Sequence, residues 1–290
     1  MAQTILVTGG TGTVGRRVVR KLIEGGAQRV VAACRHPEKG QDLADLGAHM
    51  ARLDLMDEGS ASQVIAGVDK MFLLTGAGLE TAEQGVSAVS AAEAAGVRQI
   101  VRLSVLGAES EPGTTLSRQH LAVERAIMGS QIEYTMLRPN GFMQNLEQYA
   151  GLIKSQGQFL LPLGDARVSL IDADDIASVA ATVLLDQTDA YYGKNLDLTG
   201  PEALSGADIA VRFTAALGRP VEYVSIGDDQ ARQAMTASGM PPALADALTE
   251  LFQWERAGVA SGLSAAVENV TGQQPRSFAD YLRDNKAIYS

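Results

Sequence analysis

Along this chain, short runs of β-branched and apolar residues alternate with longer stretches in which apolar positions recur every three or four residues. That alternation marks βαβ units feeding a parallel sheet. Thr4–Thr8 reads as the first strand, and the helix after it carries Val14, Val18, Val19, Leu22 and Ile23 on one face until Gly25 and Gly26 stop it. Further strands are predicted at 29–34, 49–53, 71–75 and 99–104, each separated from the next by a helix; the helix before the last is alanine-rich and ends at Gly96. A sixth, 134–138, is expected to end at Pro139, because proline cannot extend a hydrogen-bonded ladder. Beyond Pro139 the rhythm loosens. Residues 157–164 read as a substrate-side loop or a small hairpin. Asp174 and Asp175 stand where carboxylates would cap a helix carrying Ile176, Val179, Val183 and Leu184, and 195–199 reads as a late strand. From Ser205 the chain is mainly helical, with Gly218 ending one helix. The predicted fold class is α/β: a Rossmann doubly wound parallel sheet over 1–200, with substrate-side loops around 139–165, and a smaller, mainly helical C-terminal substrate-binding lobe over 201–290.

The first strand runs into Thr8-Gly9-Gly10-Thr11-Gly12-Thr13-Val14-Gly15, in which Gly-x-Gly-x-x-Gly and Gly-x-x-Gly-x-x-Gly overlap. A strand before and a helix after form the context in which such a loop binds phosphate. Glycine removes side chains where a pyrophosphate must approach the backbone, and the helix start offers unpaired amides. Gly9, Thr11, Gly12, Thr13, Val14 and Gly15 are therefore candidate contacts to a dinucleotide. No lysine completes a nucleoside triphosphate loop here. At the end of strand two, where NAD-specific domains place an acid, stands Arg35. Its guanidinium suits a 2′-phosphate, so NADP(H) is preferred and NAD(H) is the alternative, a solvated surface arginine being the plainer reading. Asp54 and Leu55, after strand three, stand where the adenine edge would pass, although Asp54 could equally be a local helix cap. Thr75 and Gly76, at the carboxyl end of strand four, should face the dinucleotide.

Composition narrows the partners. In 290 residues the formal charge is −10, which disfavours nucleic acid and anionic membranes, and Arg16, Arg17, Arg20 and Lys21 read as a solvated helix face. No run approaches the roughly eighteen apolar residues needed to cross a bilayer. A single cysteine, Cys34, forbids an intramolecular disulfide, and His36, His49 and His120 share no ligand spacing, so no metal centre is expected. With no basic, apolar leader at the start, a cytoplasmic location is expected, as monomer or homodimer, with a small-molecule acceptor as partner.

Together with Val7-Thr8-Gly9-Gly10-Thr11-Gly12-Thr13-Val14-Gly15, the segments Leu137-Arg138-Pro139-Asn140-Gly141-Phe142-Met143-Gln144-Asn145, Ile171-Asp172-Ala173-Asp174-Asp175-Ile176-Ala177 and Leu198-Thr199-Gly200-Pro201 resemble the NmrA-like branch of the atypical short-chain dehydrogenases/reductases, of the quinone oxidoreductase and triphenylmethane reductase type. The resemblance spans nearly the whole chain. It implies an NADP(H)-binding Rossmann domain with a small substrate lobe, and either reduction of quinones or dyes or redox sensing without turnover. The superfamily's Tyr-x-x-x-Lys pair is missing: aligned on Glu124, His120 falls at the lysine and Leu116 at the tyrosine. That disfavours ketones, alcohols and nucleotide-sugar chemistry, and favours electron-poor acceptors whose proton can come from water. His120 could donate to the acceptor or could simply pack its helix. Ser104, at the end of strand five, stands at the family's catalytic serine, with loop capping as the alternative. Pro139 and Asn140 are expected beside the cofactor. Phe142, with Met143 and Trp254, is expected along a flat aromatic acceptor, core packing being the alternative for each.

Overall fold

The computed structural model describes residues 3–76 and 78–290. Strands and helices alternate through β1 (Thr4–Thr8), α1 (Thr13–Glu24), β2 (Arg29–Cys34), α2 (Gln41–Asp45), β3 (His49–Arg52), α3 (Glu58–Ile65), β4 (Lys70–Leu73), α4 (Thr81–Ala94), β5 (Gln99–Leu103), α5 (Thr115–Met128) and β6 (Glu133–Pro139). There follow α6 (Ala150–Gln156), β7 (Gln158–Leu161), α7 (Ala173–Leu185), β8 (Lys194–Leu198), α8 (Gly206–Leu217), β9 (Glu222–Ser225), α9 (Asp228–Ala237), α10 (Pro242–Arg256), α11 (Ala266–Thr271), α12 (Phe278–Asp284) and α13 (Lys286–Tyr289).

Seven strands form one sheet in the order β3-β2-β1-β4-β5-β6-β8, every pair parallel. A parallel sheet covered on both faces must be apolar on both, and β1, β4 and β5 are buried along their whole length. Val14, Val18, Val19 and Leu22 of α1 pack on one face with Ile176, Val179 and Val183 of α7. Ala61 and Ile65 of α3, Ala88 and Ala92 of α4, and Val123 and Ile127 of α5 cover the other. The chain reverses its direction of travel between β1 and β4, and ligands of such sheets bind outside the carboxyl ends at that point. Among the described residues, no helix is long and apolar enough to cross a membrane.

Three expectations are corrected. Residues 157–164 hold no hairpin: β7 pairs in parallel with β9, some sixty residues on, with Gln158 opposite Glu222 and Leu161 opposite Ser225. The lobe is consequently not confined to 201–290. Its core joins Met143, Leu146, Ile153 and Phe159 to Phe213, Phe278, Tyr281 and Tyr289, whereas Val267 of α11 packs back on the Rossmann core. β6 does end at Pro139, as expected: the proline is its last residue, opposite Leu198, where a missing N–H costs the ladder least. The cap of α7 is Asp172, whose carboxylate accepts from the Asp174 amide at 3.0 Å; Asp174 and Asp175 lie in the first turn.

Candidate active site

The glycine loop follows β1 at the switch point. Gly9 has φ +61°, a left-handed conformation, and its carbonyl accepts from the Gly12 amide at 2.9 Å. The Gly10 amide donates to the Ala33 carbonyl of β2 at 3.0 Å. Thr8 Oγ1 donates to the Leu74 carbonyl at 2.6 Å and accepts from the Leu74 amide at 2.7 Å, tying the loop to the exit of β4. The turn is closed so tightly that a Cβ on Gly15 would lie 2.2 Å from the Gly9 carbonyl oxygen. Gly12 instead is exposed and caps α1 with no side-chain hydrogen bond, which leaves the first-turn amides of Thr13, Val14 and Gly15 for an anion.

Around this loop stand the other residues expected to hold a dinucleotide. Arg35 follows β2, exposed and without an ion pair or hydrogen bond among the described residues, whereas Arg16 is held by Asp42 and by the Lys39 carbonyl. Arg20 shares Asp42 with Arg16, at 2.5 Å, and Arg17 pairs with Asp174, at 3.2 Å, so three of the four basic residues of α1 are ion-paired, to two carboxylates. Asp54 is exposed and accepts from the Met56 amide at 3.1 Å, with Leu55 half-buried beside it; the cap of α3 is Asp57. Gly76 is exposed after β4, its amide donating to Gln84 Oε1 at 2.9 Å. Ser104 leaves β5 with a buried hydroxyl that has no hydrogen-bond partner, the sort of orphan a ligand completes.

Beneath these strand ends lies Arg102, fully buried in β5. Its Nη1 donates to the Leu73 carbonyl at 3.0 Å, and its Nη2 to Thr75 Oγ1 at 3.0 Å and to Nδ1 of His120 on α5 at 3.4 Å. Burial pushes its pKa down to about 9, so it remains a cation at neutral pH. Burial, and then the charge of Arg102, push the His120 imidazole down to about 3. The ring is therefore neutral, and His120 as an acid that gives up an imidazolium proton near neutrality is corrected: what it can offer is a hydrogen bond. Sequence reading missed Arg102. The available signal was a charged residue in a strand with paired neighbours on both sides, where side chains meet only the core.

Glu124, used above to align α5, is also structural. Fully buried, it accepts from Arg138 of β6 through both oxygens, at 2.9 and 2.6 Å, and Glu109 takes the outer side of the same guanidinium. Asn140 does not present its amide to a ligand. Its Nδ2 donates to Ser169 Oγ and to the Ala260 carbonyl, both at 2.8 Å, bolting the chain after α10 over the exit of β6, while Pro139 beside it is buried. Met143 is corrected from acceptor wall to lobe core, where it is 1 % exposed. Phe142 is half-buried against the Rossmann core, bridged in parallel to Ile171. Trp254 packs on the loop leaving β5, so closely that a Cβ on Gly107 would meet its Cζ2 at 2.6 Å.

The sequence profile of the NmrA-like family matches residues 1–284. The chain belongs to the NmrA-like family. Among its relatives, the NAD(P)H azoreductase of Xenophilus azovorans is 37 % identical, over 98 % of this chain and 99 % of its own. Quinone oxidoreductase 2 of Escherichia coli is 30 % identical, over 85 % of this chain and 86 % of its own. The solved structure of an Escherichia coli NADPH-dependent quinone oxidoreductase complexed with NADPH superposes with a TM-score of 0.87 at 28 % identity, covering 97 % of this NmrA-like chain and 99 % of that one.

Proposed function

We propose that this protein is an NADPH-dependent reductase that delivers hydride to an electron-poor acceptor of the quinone, azo or triphenylmethane dye class. The observation that carries the reading is the carboxyl end of the sheet at the switch point. There a glycine turn, an uncapped helix start, the unpaired Arg35 and the orphaned Ser104 hydroxyl lie at the carboxyl ends of β1, β2 and β5. The azoreductase and quinone oxidoreductase relatives support it.

When bound, the dihydronicotinamide supplies hydride, and the remaining work belongs to the chain. The amides of Thr13, Val14 and Gly15 hold the pyrophosphate against the positive end of α1, and Arg35 pairs with the 2′-phosphate. Ser104 orients the nicotinamide end from the exit of β5. His120 donates a hydrogen bond to the acceptor, and Phe142 and Trp254 close the flat sides of its space. The acceptor's proton comes from water, since neither a tyrosine–lysine pair nor a charged histidine stands in α5.

Incubation with NADPH and a panel of quinones, azo dyes and triphenylmethane dyes tests this through cofactor absorbance. Acceptor-dependent loss is expected. Tight NADPH binding with no consumption across the panel would make the protein a sensor of the NADP(H) ratio.

A further inference from the structure

We propose that Arg102 is a positioning residue: its buried guanidinium holds His120 as a neutral imidazole with its hydrogen on Nε2, and sets the site for acceptors that gain negative charge over acceptors that are cations. The inference rests on the reductase reading and narrows its substrate class.

The geometry leaves the ring one arrangement. A guanidinium offers only donors, so the His120 Nδ1 facing Arg102 Nη2 at 3.4 Å must accept, and the ring hydrogen lies on Nε2. The Leu73 carbonyl at the end of β4 and Thr75 Oγ1 just after it, each at 3.0 Å, fix the guanidinium. Among the described residues no carboxylate forms an ion pair with it. Glu124 on α5 is the acid that acts on Arg102, and both its oxygens already accept from Arg138. A buried cation without a carboxylate partner is costly to a fold, and such groups cluster where their field is used. Here the field acts through a polarised, uncharged ring.

Its consequence depends on what the acceptor becomes. A quinone takes hydride, two electrons with one proton, and becomes a hydroquinone monoanion whose oxygen charge is quenched by a proton from water. An azo group takes hydride on one nitrogen, and the pair of the broken π bond leaves the other nitrogen anionic until water protonates it to the hydrazine. A Nε2–H backed by Arg102 stabilises both anions. A triarylmethyl cation takes hydride on its central carbon and becomes neutral, with no anion formed and no proton needed. For that acceptor the buried cation only repels the ground state.

The first test needs no turnover. Nitrogen NMR of the resting protein, with the His120 signals assigned by their absence in His120→Gln, should show a neutral Nε2–H ring down to about pH 5. A Nδ1–H tautomer, or an imidazolium at about pH 6, would overturn the proposal. This arm stands or falls even if no acceptor is reduced, in which case only the reductase reading is lost. The second test compares acceptors. Arg102→Met should bring His120 protonation back towards its ordinary range and lower quinone kcat by about 10- to 100-fold, with cationic dye reduction unchanged or faster. Arg102→Lys, which keeps the charge, should restore much of the quinone-to-dye ratio. Equal losses on both acceptors in Arg102→Met, or a ratio in Arg102→Lys as low as in Arg102→Met, would reduce Arg102 to packing.

Discussion

Two glycines of the same loop should separate folding from cofactor binding. At Gly12 an added Cβ meets only the Gly9 carbonyl oxygen, at 3.2 Å, and the backbone has an ordinary φ of −80°. Alanine there asks for a shift of a few tenths of an ångström and worsens the cap of α1 by about 0.5–1 kcal/mol, a change of a few degrees in Tm at most. At Gly15 the same atom lies 2.2 Å from the Gly9 carbonyl oxygen and 2.8 Å from its carbon, so the turn itself must open, at about 1–3 kcal/mol or more. The outer side of Gly12 is the face that a pyrophosphate would meet, and there the methyl displaces the ligand instead of the protein. Gly12→Ala should therefore unfold almost as wild type and lose about 100-fold or more in NADPH affinity, equivalent to about 2.7 kcal/mol, whereas Gly15→Ala should lose both stability and binding. Differential scanning calorimetry and isothermal titration read the two quantities on the same samples. Wild-type NADPH affinity in folded Gly12→Ala would refute the assignment of the loop.

Replacing Arg35 by Glu removes a charge-assisted contact of about 1.5–3 kcal/mol, so NADPH should bind about 10- to 100-fold more weakly while NADH holds or gains; paired dissociation constants at one low salt concentration check this. With Arg16 occupied by Asp42, Lys39 is the remaining cation to blunt the effect. Glu255, buried in α10 with no partner for its carboxyl among the described residues, is pushed up to about 7 by burial alone. A raised carboxyl contributes stability in full below its unfolded pKa and loses it as pH rises through the folded one. Stability should thus fall by at most about 3 kcal/mol between about pH 4.5 and 7, and Glu255→Gln should flatten that slope in denaturant titrations across the range. Truncating one side of the buried pair in Glu124→Ala leaves Arg138 with only the exposed Glu109, and should cost about 3–5 kcal/mol in chemical denaturation.

The Rossmann half was legible because its signals are local. A strand, a glycine loop and an amphipathic helix each announce themselves within a dozen residues, and burial on both faces makes the parallel strands read as continuous apolar runs. The lobe was not. β7 and β9 are four residues each and gain their meaning only from a pairing across some sixty residues, which no local pattern encodes. At the site, the structure puts the glycine loop after β1 and Arg35 after β2, where their positions in the sequence place them. Met143 and Asn140 misled because sequence places them just after β6 without showing which way they turn: one fills the lobe core and the other bolts the segment after α10. The neutrality of His120 comes from its burial and then from the charge of Arg102, eighteen residues earlier and on a different element, and therefore only the folded environment reveals it.

The central claim is that this fold hands hydride from NADPH to an acceptor. A single-turnover experiment tests it most directly: excess protein is loaded with NADPH, a quinone is added, and cofactor absorbance is followed with protiated and C4-deuterated NADPH. The account predicts loss of NADPH in equal amount to the hydroquinone formed, slower with deuterium at the transferred position. Bound NADPH that stays reduced in the presence of every quinone and dye would contradict it.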